Sequence, residues 1–433
     1  MLQRKAWERL VQWKERTAPT GLLITGARQV GKTFLVQEFA KKHYSSFVEI
    51  NLVENRKAAG IFDQAQDAAD LFARISLTAG AELIPGETLI FIDEVQVAKE
   101  VVTGVKFLVQ QHDYDFILSG SMLGVELRDV RSVPVGYLDV VEMFPMDFEE
   151  FAWANGVSQQ LFADAVAAAR QREPVPEYLH ERLLELFHKY LIVGGMPAAV
   201  DEFTRTSNLQ QVRRIQENII QLNRWDISQY AKRDALAIKE IYDLIPSELN
   251  QQNKRFVLKN LNRHGRFNRY EEKFVWLADA GVALPVYNVT EPTYPLKLSS
   301  QSNLFKLFMA DVGLLTSTFI KDVSERILAK HPDINYGSIY ENAVATEFAA
   351  QGRSLYFYRN KRLGEVDFII EKDDGTVIPI EVKSGKTYDR HVAINNLLTS
   401  PDYRIPEGIV LAEANVTTHD KVTYLPIYLA GSL

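Results

Sequence analysis

The chain has 433 residues, 46% hydrophobic, 24% charged and 11% aromatic, with a formal charge of −7. At about 100–200 residues per domain it holds two to four domains, each with its own core, and the composition gives no ground for disorder. No apolar run approaches the roughly 20 residues of a membrane span, and the first residues lack the apolar stretch of a secretory leader. Cysteine is absent, which removes disulfides, thiolate zinc sites, iron–sulfur clusters and thiol nucleophiles. A cytoplasmic protein without membrane association is expected. The acidic balance argues against nucleic acid coating the whole surface but leaves room for a local basic patch.

Short apolar runs at 21–25, 47–51, 88–93 and 114–119 alternate with helical stretches, the pattern of βαβ units and a parallel sheet. After the first run comes Gly26-Ala27-Arg28-Gln29-Val30-Gly31-Lys32-Thr33, which matches G-x-x-x-x-G-K-[ST], and a helix opening on Phe34. Glycines there let the backbone N–H groups curl toward phosphate oxygens at the positive end of the helix. Residues 26–34 are therefore expected to hold ATP or ADP, with Lys32 on the β/γ-phosphates and the Thr33 hydroxyl on Mg²⁺. The third run ends in Asp93-Glu94. Asp93 is expected to orient Mg²⁺ and Glu94 to polarise the attacking water; a solvated strand end is the bland alternative.

From 148 to about 235 the pattern turns helical, interrupted at Gly194-Gly195-Met196-Pro197. Lys254, Arg255, Lys259, Arg263, Arg266, Arg269 and Lys273 then crowd together against only Glu271 and Glu272. Tyr270, Phe274, Leu277 and Ala278 are spaced as one helix face, and a strand pair is predicted at 282–289 with 296–298. A helix before a strand pair resembles a winged helix, which would carry segment 254–273 to DNA or RNA phosphates. A solvated helix face or a protein contact would give the same charge run.

In the last hundred residues, Tyr340, Val344 and Phe348 define the apolar stripe of a helix that carries Glu341 beside it. Strands are predicted at 355–358, 365–370 and 377–383, the last two joined by the turn Asp373-Asp374-Gly375. Alternation puts Glu381 and Lys383 on one face, with Asp367 across from them in a favourable register. A helix Glu, a strand Asp and an E-x-K on the next strand form the pattern of PD-(D/E)XK nucleases. There Asp367 and Glu381 would hold Mg²⁺ against a phosphodiester, and Lys383 would stabilise hydroxide. The alternative is a binding platform in which Lys383 merely pairs with a carboxylate.

Taken together, G-A-R-Q-V-G-K-T at 26–33, L-I-F-I-D-E-V-Q at 89–96, F-I-L-S-G-S at 116–121 and F-P-M-D-F-E-E-F at 144–151 resemble a large prokaryotic family of AAA-type ATP-binding proteins. Its members end in an uncharacterised domain of nuclease-like pattern. The similarity extends over nearly the whole chain, through 194–197 and the F-K-L-F-M-A-D-V-G-L-L run at 305–315. The resemblance implies that Ser119 is a polar sensor of the γ-phosphate. One departure stands out: family members usually carry a basic residue after a glycine beyond the sensor strand, whereas Gly136 is followed by Tyr137. Any such role would pass to another residue, such as Arg128 or Arg131.

The expected architecture is α/β: an AAA-type P-loop ATPase core over 1–147, a helical lid over 148–235, a winged-helix-like module over 236–325 and a restriction-endonuclease-like domain over 326–433. The expected function is Mg²⁺-dependent ATP hydrolysis coupled to action on nucleic acid. The alternative is a nucleotide-dependent switch that binds a protein partner and cuts nothing. Oligomeric state, and the choice of DNA or RNA, are open at this level.

Overall fold

A computed structural model describes residues 2–54, 60, 68–79, 82–97, 100–109, 114–121, 136–251, 254–257, 270–319, 323–329, 336–385 and 387–433. The chain divides into two units, residues 3–144 with 279–281 and residues 145–278 with 282–433.

The first unit is built on five parallel strands: β1 (Gly21–Thr25), β2 (Ser46–Asn51), β3 (Thr88–Asp93), β4 (Asp115–Ser119) and β5 (Leu138–Glu142). β3 is buried along its whole length, which is why its apolar run is continuous rather than alternating. Leu22, Ile24, Leu89 and Phe91 pack against Val36 and Phe39 of helix Lys32–His43 and against Trp13 of helix Ala6–Lys14. Leu23, Ile90, Ile92 and Leu118 form the opposite face with Leu71, Ile75 and Leu108. The strand order is β2-β3-β4-β1-β5, so β4 separates the P-loop strand from the strand ending in Asp93. Ser119, at the carboxyl end of β4, thereby stands between them, at the edge where open parallel sheets bind ligands.

The second unit opens with helices at Phe148–Ala154, Gln159–Arg170, Glu177–Val193, Pro197–Thr206, Leu209–Tyr230 and Ala235–Leu249. Asp147, Ser158 and Asn208 accept from the first-turn amides of three of them, which fixes where each starts. Eight strands follow: β6 (Ala283–Val289), β7 (Ser300–Met309), β8 (Tyr356–Asn360), β9 (Gly364–Glu371), β10 (Val377–Val382), β11 (Gly408–Ala412), β12 (Thr417–His419) and β13 (Val422–Pro426). They form one mixed sheet in the order β12-β13-β11-β10-β9-β8-β6-β7.

Two local expectations are corrected here. Residues 296–298 belong to a 3-10 turn, Leu296–Ser299, and the partner of β6 is β7. The pair does not stand alone as a wing, because Tyr287–Val289 also pair in parallel with Tyr356–Tyr358 of β8. Backbone groups that a wing would leave to solvent instead join the C-terminal sheet. Helix Tyr336–Ala350 also differs: residues 338–349 are all buried, not one stripe of them. A helix enclosed on every side needs no polar face, and its charged residues must find partners inside. The β9–β10 hairpin forms as expected, with Ile380 opposite Phe368 and Gly375 at φ +80° in the turn. Among the described residues no helix is long and apolar enough to cross a membrane.

Candidate functional site

Between β1 and helix Lys32–His43 the backbone takes three left-handed steps, at Gly26 (φ +131°), Gln29 (φ +65°) and Gly31 (φ +94°). Gly26 admits no side chain, since a Cβ there would lie 2.1 Å from the Met143 carbonyl oxygen. Arg4 braces the loop from outside, donating to the carbonyls of Val30 and Phe144, each at 2.7 Å. Nothing in the order of motifs pointed to Arg4, which lies far upstream in sequence. Lys32 is buried and folds back over the loop, donating to Gly26 O at 2.9 Å and Ala27 O at 2.7 Å. Burial lowers its pKa to about 8, partly offset by the charges of Glu94 and Asp93 and reinforced by Arg28. Carbonyl oxygens therefore stand where phosphate oxygens are expected to take the ammonium.

The Thr33 hydroxyl donates to Asp93 Oδ2 at 2.8 Å, bringing the two expected Mg²⁺ ligands together. Ser119 donates to the other oxygen of Asp93, which also accepts the Glu94 amide at 2.9 Å. Both residues are buried at the strand ends. A hydroxyl and a carboxylate are hard oxygen donors, and a buried Asp with its neighbouring Thr fits Mg²⁺. Glu94 sits at φ +60°, uncommon for a residue with a side chain and the kind of local strain kept where a group must be aimed. Its carboxylate accepts from Gln96 and from Ser121 at 3.4 Å, and Gln96 also reaches Ser121 at 3.2 Å. Arg28 Nε reaches the same Ser121 hydroxyl at 3.4 Å. Gln96 and Ser121 are thus parts of the site that motif reading passed over, although both lie inside the quoted motifs. Phe34 leaves half of its surface exposed beside the loop. Gly136 and Tyr137 form a turn, where the Tyr137 carbonyl accepts from Gly21 N at 2.8 Å; Arg128 and Arg131 lie outside the described residues.

In the second unit, Asp367 and Glu381 lie just beyond the last β9–β10 pair, Phe368 with Ile380, and Val382 N donates to Asp367 Oδ2 at 2.9 Å. Glu341 approaches from its helix. The group is not an open pair of carboxylates, however. Lys306 from β7 enters it with only 1% of its surface exposed, 3.2 Å from Glu365, 3.5 Å from Glu341 and 3.7 Å from Asp367. Lys254 pairs with Glu341, and Lys383 with Glu381 at 2.6 Å. Burial works against the Lys306 charge, but Glu341, Asp367 and Glu365 more than compensate and hold its pKa above the ordinary lysine value. Burial, then Asp367, raise the Glu341 carboxyl against the pull of Lys306 and Lys254. Burial also raises Glu381, with Lys383 opposing. The structure brings Asp367 and Glu381, the expected metal seat, to neighbouring strands, with Lys306 and Lys383 beside them. Among the described residues no group of three or more His, Asp or Glu is placed to hold a metal ion. Lys306 was invisible to strand-pattern reading because it lies on β7, well before Asp367 in sequence, in a run singled out only for its family resemblance.

Of the basic segment, Lys254 faces Glu341 and Lys273 pairs with Asp234 at 2.9 Å. Lys259, Arg263, Arg266 and Arg269 lie outside the described residues.

Comparison with known proteins gives three family matches along the chain. Residues 19–152 match the family described as AAA domain, and the P-loop, Asp93 and Ser119 all fall within that match. Residues 184–324 and 336–429 match two domains of unknown function, DUF8612 and DUF4143. No curated protein matches. Among solved structures, the chain is similar to a Walker-type ATPase of Pyrococcus abyssi, at 15% identity and TM-score 0.43, over 74% of this chain and 96% of that one. It is also similar to PCH-2 of C. elegans, at 15% identity and TM-score 0.28, over 47% and 61%. A third is the ORC1 protein of Aeropyrum pernix in complex with DNA, at 13% identity and TM-score 0.29, over 77% and 93%. The parallel-sheet unit with its P-loop is thus the part of the chain that matches an AAA domain, and the rest matches domain families without an assigned function.

Proposed function

We propose that the first unit binds and hydrolyses ATP with Mg²⁺. The observation that carries this is the convergence of Thr33, Asp93 and Ser119 beside the buried Lys32. The loop amides and Lys32 would hold the phosphates, and Thr33 with Asp93 would hold Mg²⁺, which would screen the phosphate charge. Glu94 orients the attacking water and takes its proton. The water oxygen bonds to the γ-phosphorus as the bond to the bridging oxygen breaks, leaving ADP and phosphate. Lys32→Ala should weaken ATP binding about 10-fold or more by removing a charge-assisted contact. Glu94→Gln should keep binding and slow turnover by roughly 10²–10⁴-fold, because only the proton acceptor is lost. Calorimetric titration and phosphate release measure the two effects, and unchanged values in both variants would overturn the reading.

A second reading concerns what the ATPase acts on. Two lysines of the basic segment are paired within the chain, Lys254 with the buried Glu341 and Lys273 with the half-exposed Asp234, and the C-terminal carboxylates already face lysines. This favours a nucleotide-dependent switch whose second unit binds a partner protein over one that cuts nucleic acid. DNA or RNA contact through Arg263 and Arg266 would instead give affinity that falls steeply with salt, with a shallower slope in Arg263→Ala. Salt-dependent binding of that form would restore the nucleic-acid reading, and its absence at low ionic strength supports the switch.

A further inference from the structure

The carboxylates of the C-terminal centre come from three places, Glu341 on its helix, Glu365 and Asp367 on β9, and Glu381 on β10. For two of them to hold a divalent cation they must offer oxygens that no other positive group occupies. Each is already engaged through at least one oxygen. Lys306 Nζ lies 3.5 Å from Glu341 Oε2, 3.2 Å from Glu365 Oε1 and 3.7 Å from Asp367 Oδ1. The second oxygen of Asp367 accepts the Val382 amide at 2.9 Å, the second oxygen of Glu341 holds Lys254, and Glu381 holds Lys383 at 2.6 Å. A lysine at a protein surface can swing into water and give way to a metal, but Lys306 is 99% enclosed, and its ammonium lies 5.1 Å from the centre of the Phe357 ring on β8.

Charge and burial require each other here. An ammonium so deeply enclosed is tolerable only when ion pairs and hydrogen bonds replace the water it has lost, and converging carboxylates repel unless a cation stands among them. Lys306 meets both needs at once. It also comes from the segment that matches a different domain family from the one carrying the carboxylates, so the centre is composite.

We infer that Lys306 is the resident cation of this centre, so that the cluster takes no divalent metal as built and becomes a divalent-cation site once that ammonium is removed. This inference is independent of ATP hydrolysis in the first unit.

The test counts bound Mn²⁺ by electron paramagnetic resonance on the full chain without nucleotide, in the wild type, Asp367→Asn, Lys306→Met and the Lys306→Met/Asp367→Asn double variant. Wild type and Asp367→Asn should bind the same number of ions. Lys306→Met should bind one more per chain, and the double variant should lose it again. A wild type that binds one more ion than Asp367→Asn overturns the inference, as does a folded Lys306→Met with no added ion. If Lys306→Met does not fold, the comparison of wild type with Asp367→Asn decides alone: equal counts support the closed cluster, and a lost ion refutes it.

Discussion

Lys32 illustrates how burial writes chemistry into one residue. Its ammonium is held near a pKa of about 8 mainly by lost solvation. Phosphate oxygens arriving beside it favour the charged form and draw its pKa back upward. ATP binding near pH 8 should therefore take up about half a proton per chain, and the uptake should shrink as pH falls toward about 7, where Lys32 is already charged. Calorimetry in two buffers of different ionisation enthalpy measures this. Lys32→Arg, whose guanidinium stays protonated, should show no such uptake. That Asp93, Glu94 and Lys32 come together was legible from the motifs, because the P-loop and the acidic strand end are both local patterns of residue type and spacing. Arg4, which braces the loop, was not, since a contact between residues so far apart in sequence leaves no local pattern.

At the scale of elements, Asp311 joins two runs whose sequences gave no reason to meet. It accepts from Gly195 N at 2.6 Å and Leu314 N at 2.8 Å, tying the turn after helix Glu177–Val193 to the start of helix Val312–Ser317. Gly195 is confined as well, since a Cβ there would lie 1.9 Å from the Met146 carbonyl oxygen. Gly195→Ala should therefore destabilise the chain by about 2 kcal/mol or more, read from the denaturant midpoint, because backbone has to shift. Burial raises the Asp311 carboxyl from 3.8 to about 6, against three backbone hydrogen bonds that pull it down. The folded chain thus holds this proton more tightly than the unfolded one. Its contribution is present below pH 3.8 and is lost as pH rises through about 6. Asp311→Asn should remove that slope, seen by comparing unfolding free energies of the two proteins across this window. Below pH 3.8, where both side chains are neutral, it should lower stability, because an amide side chain offers a single acceptor oxygen to the backbone N–H groups that Asp311 holds.

For the second unit as a whole, the Lys306 cluster ties β7 to β9 and to helix Tyr336–Ala350 at one point. Removing one partner of a buried ion pair leaves the others uncompensated. In metal-free buffer, Lys306→Met should cost about 3–5 kcal/mol, whereas Lys383→Met, at a partly exposed pair, should cost about 1 kcal/mol or less. Equal losses on chemical denaturation would mean that Lys306 is no more central than a surface lysine.

What the sequence determined by itself is whatever obeys a short-range rule. The P-loop, the buried strand ending in Asp93-Glu94, the β9–β10 hairpin with its Asp-Gly turn and the alternation of Asp367 and Glu381 all follow from residue type and a period of two or 3.6. Tertiary structure decided what depends on which distant segments become neighbours. It placed β6 and β7 in the C-terminal sheet rather than in a wing, enclosed helix Tyr336–Ala350 on all sides, and put Lys306 among the carboxylates. The cause in each case is the same. Strand pairing and burial are satisfied by the nearest complementary surface in space, and the cost of a buried charge is met by whichever opposite charge the fold brings to it.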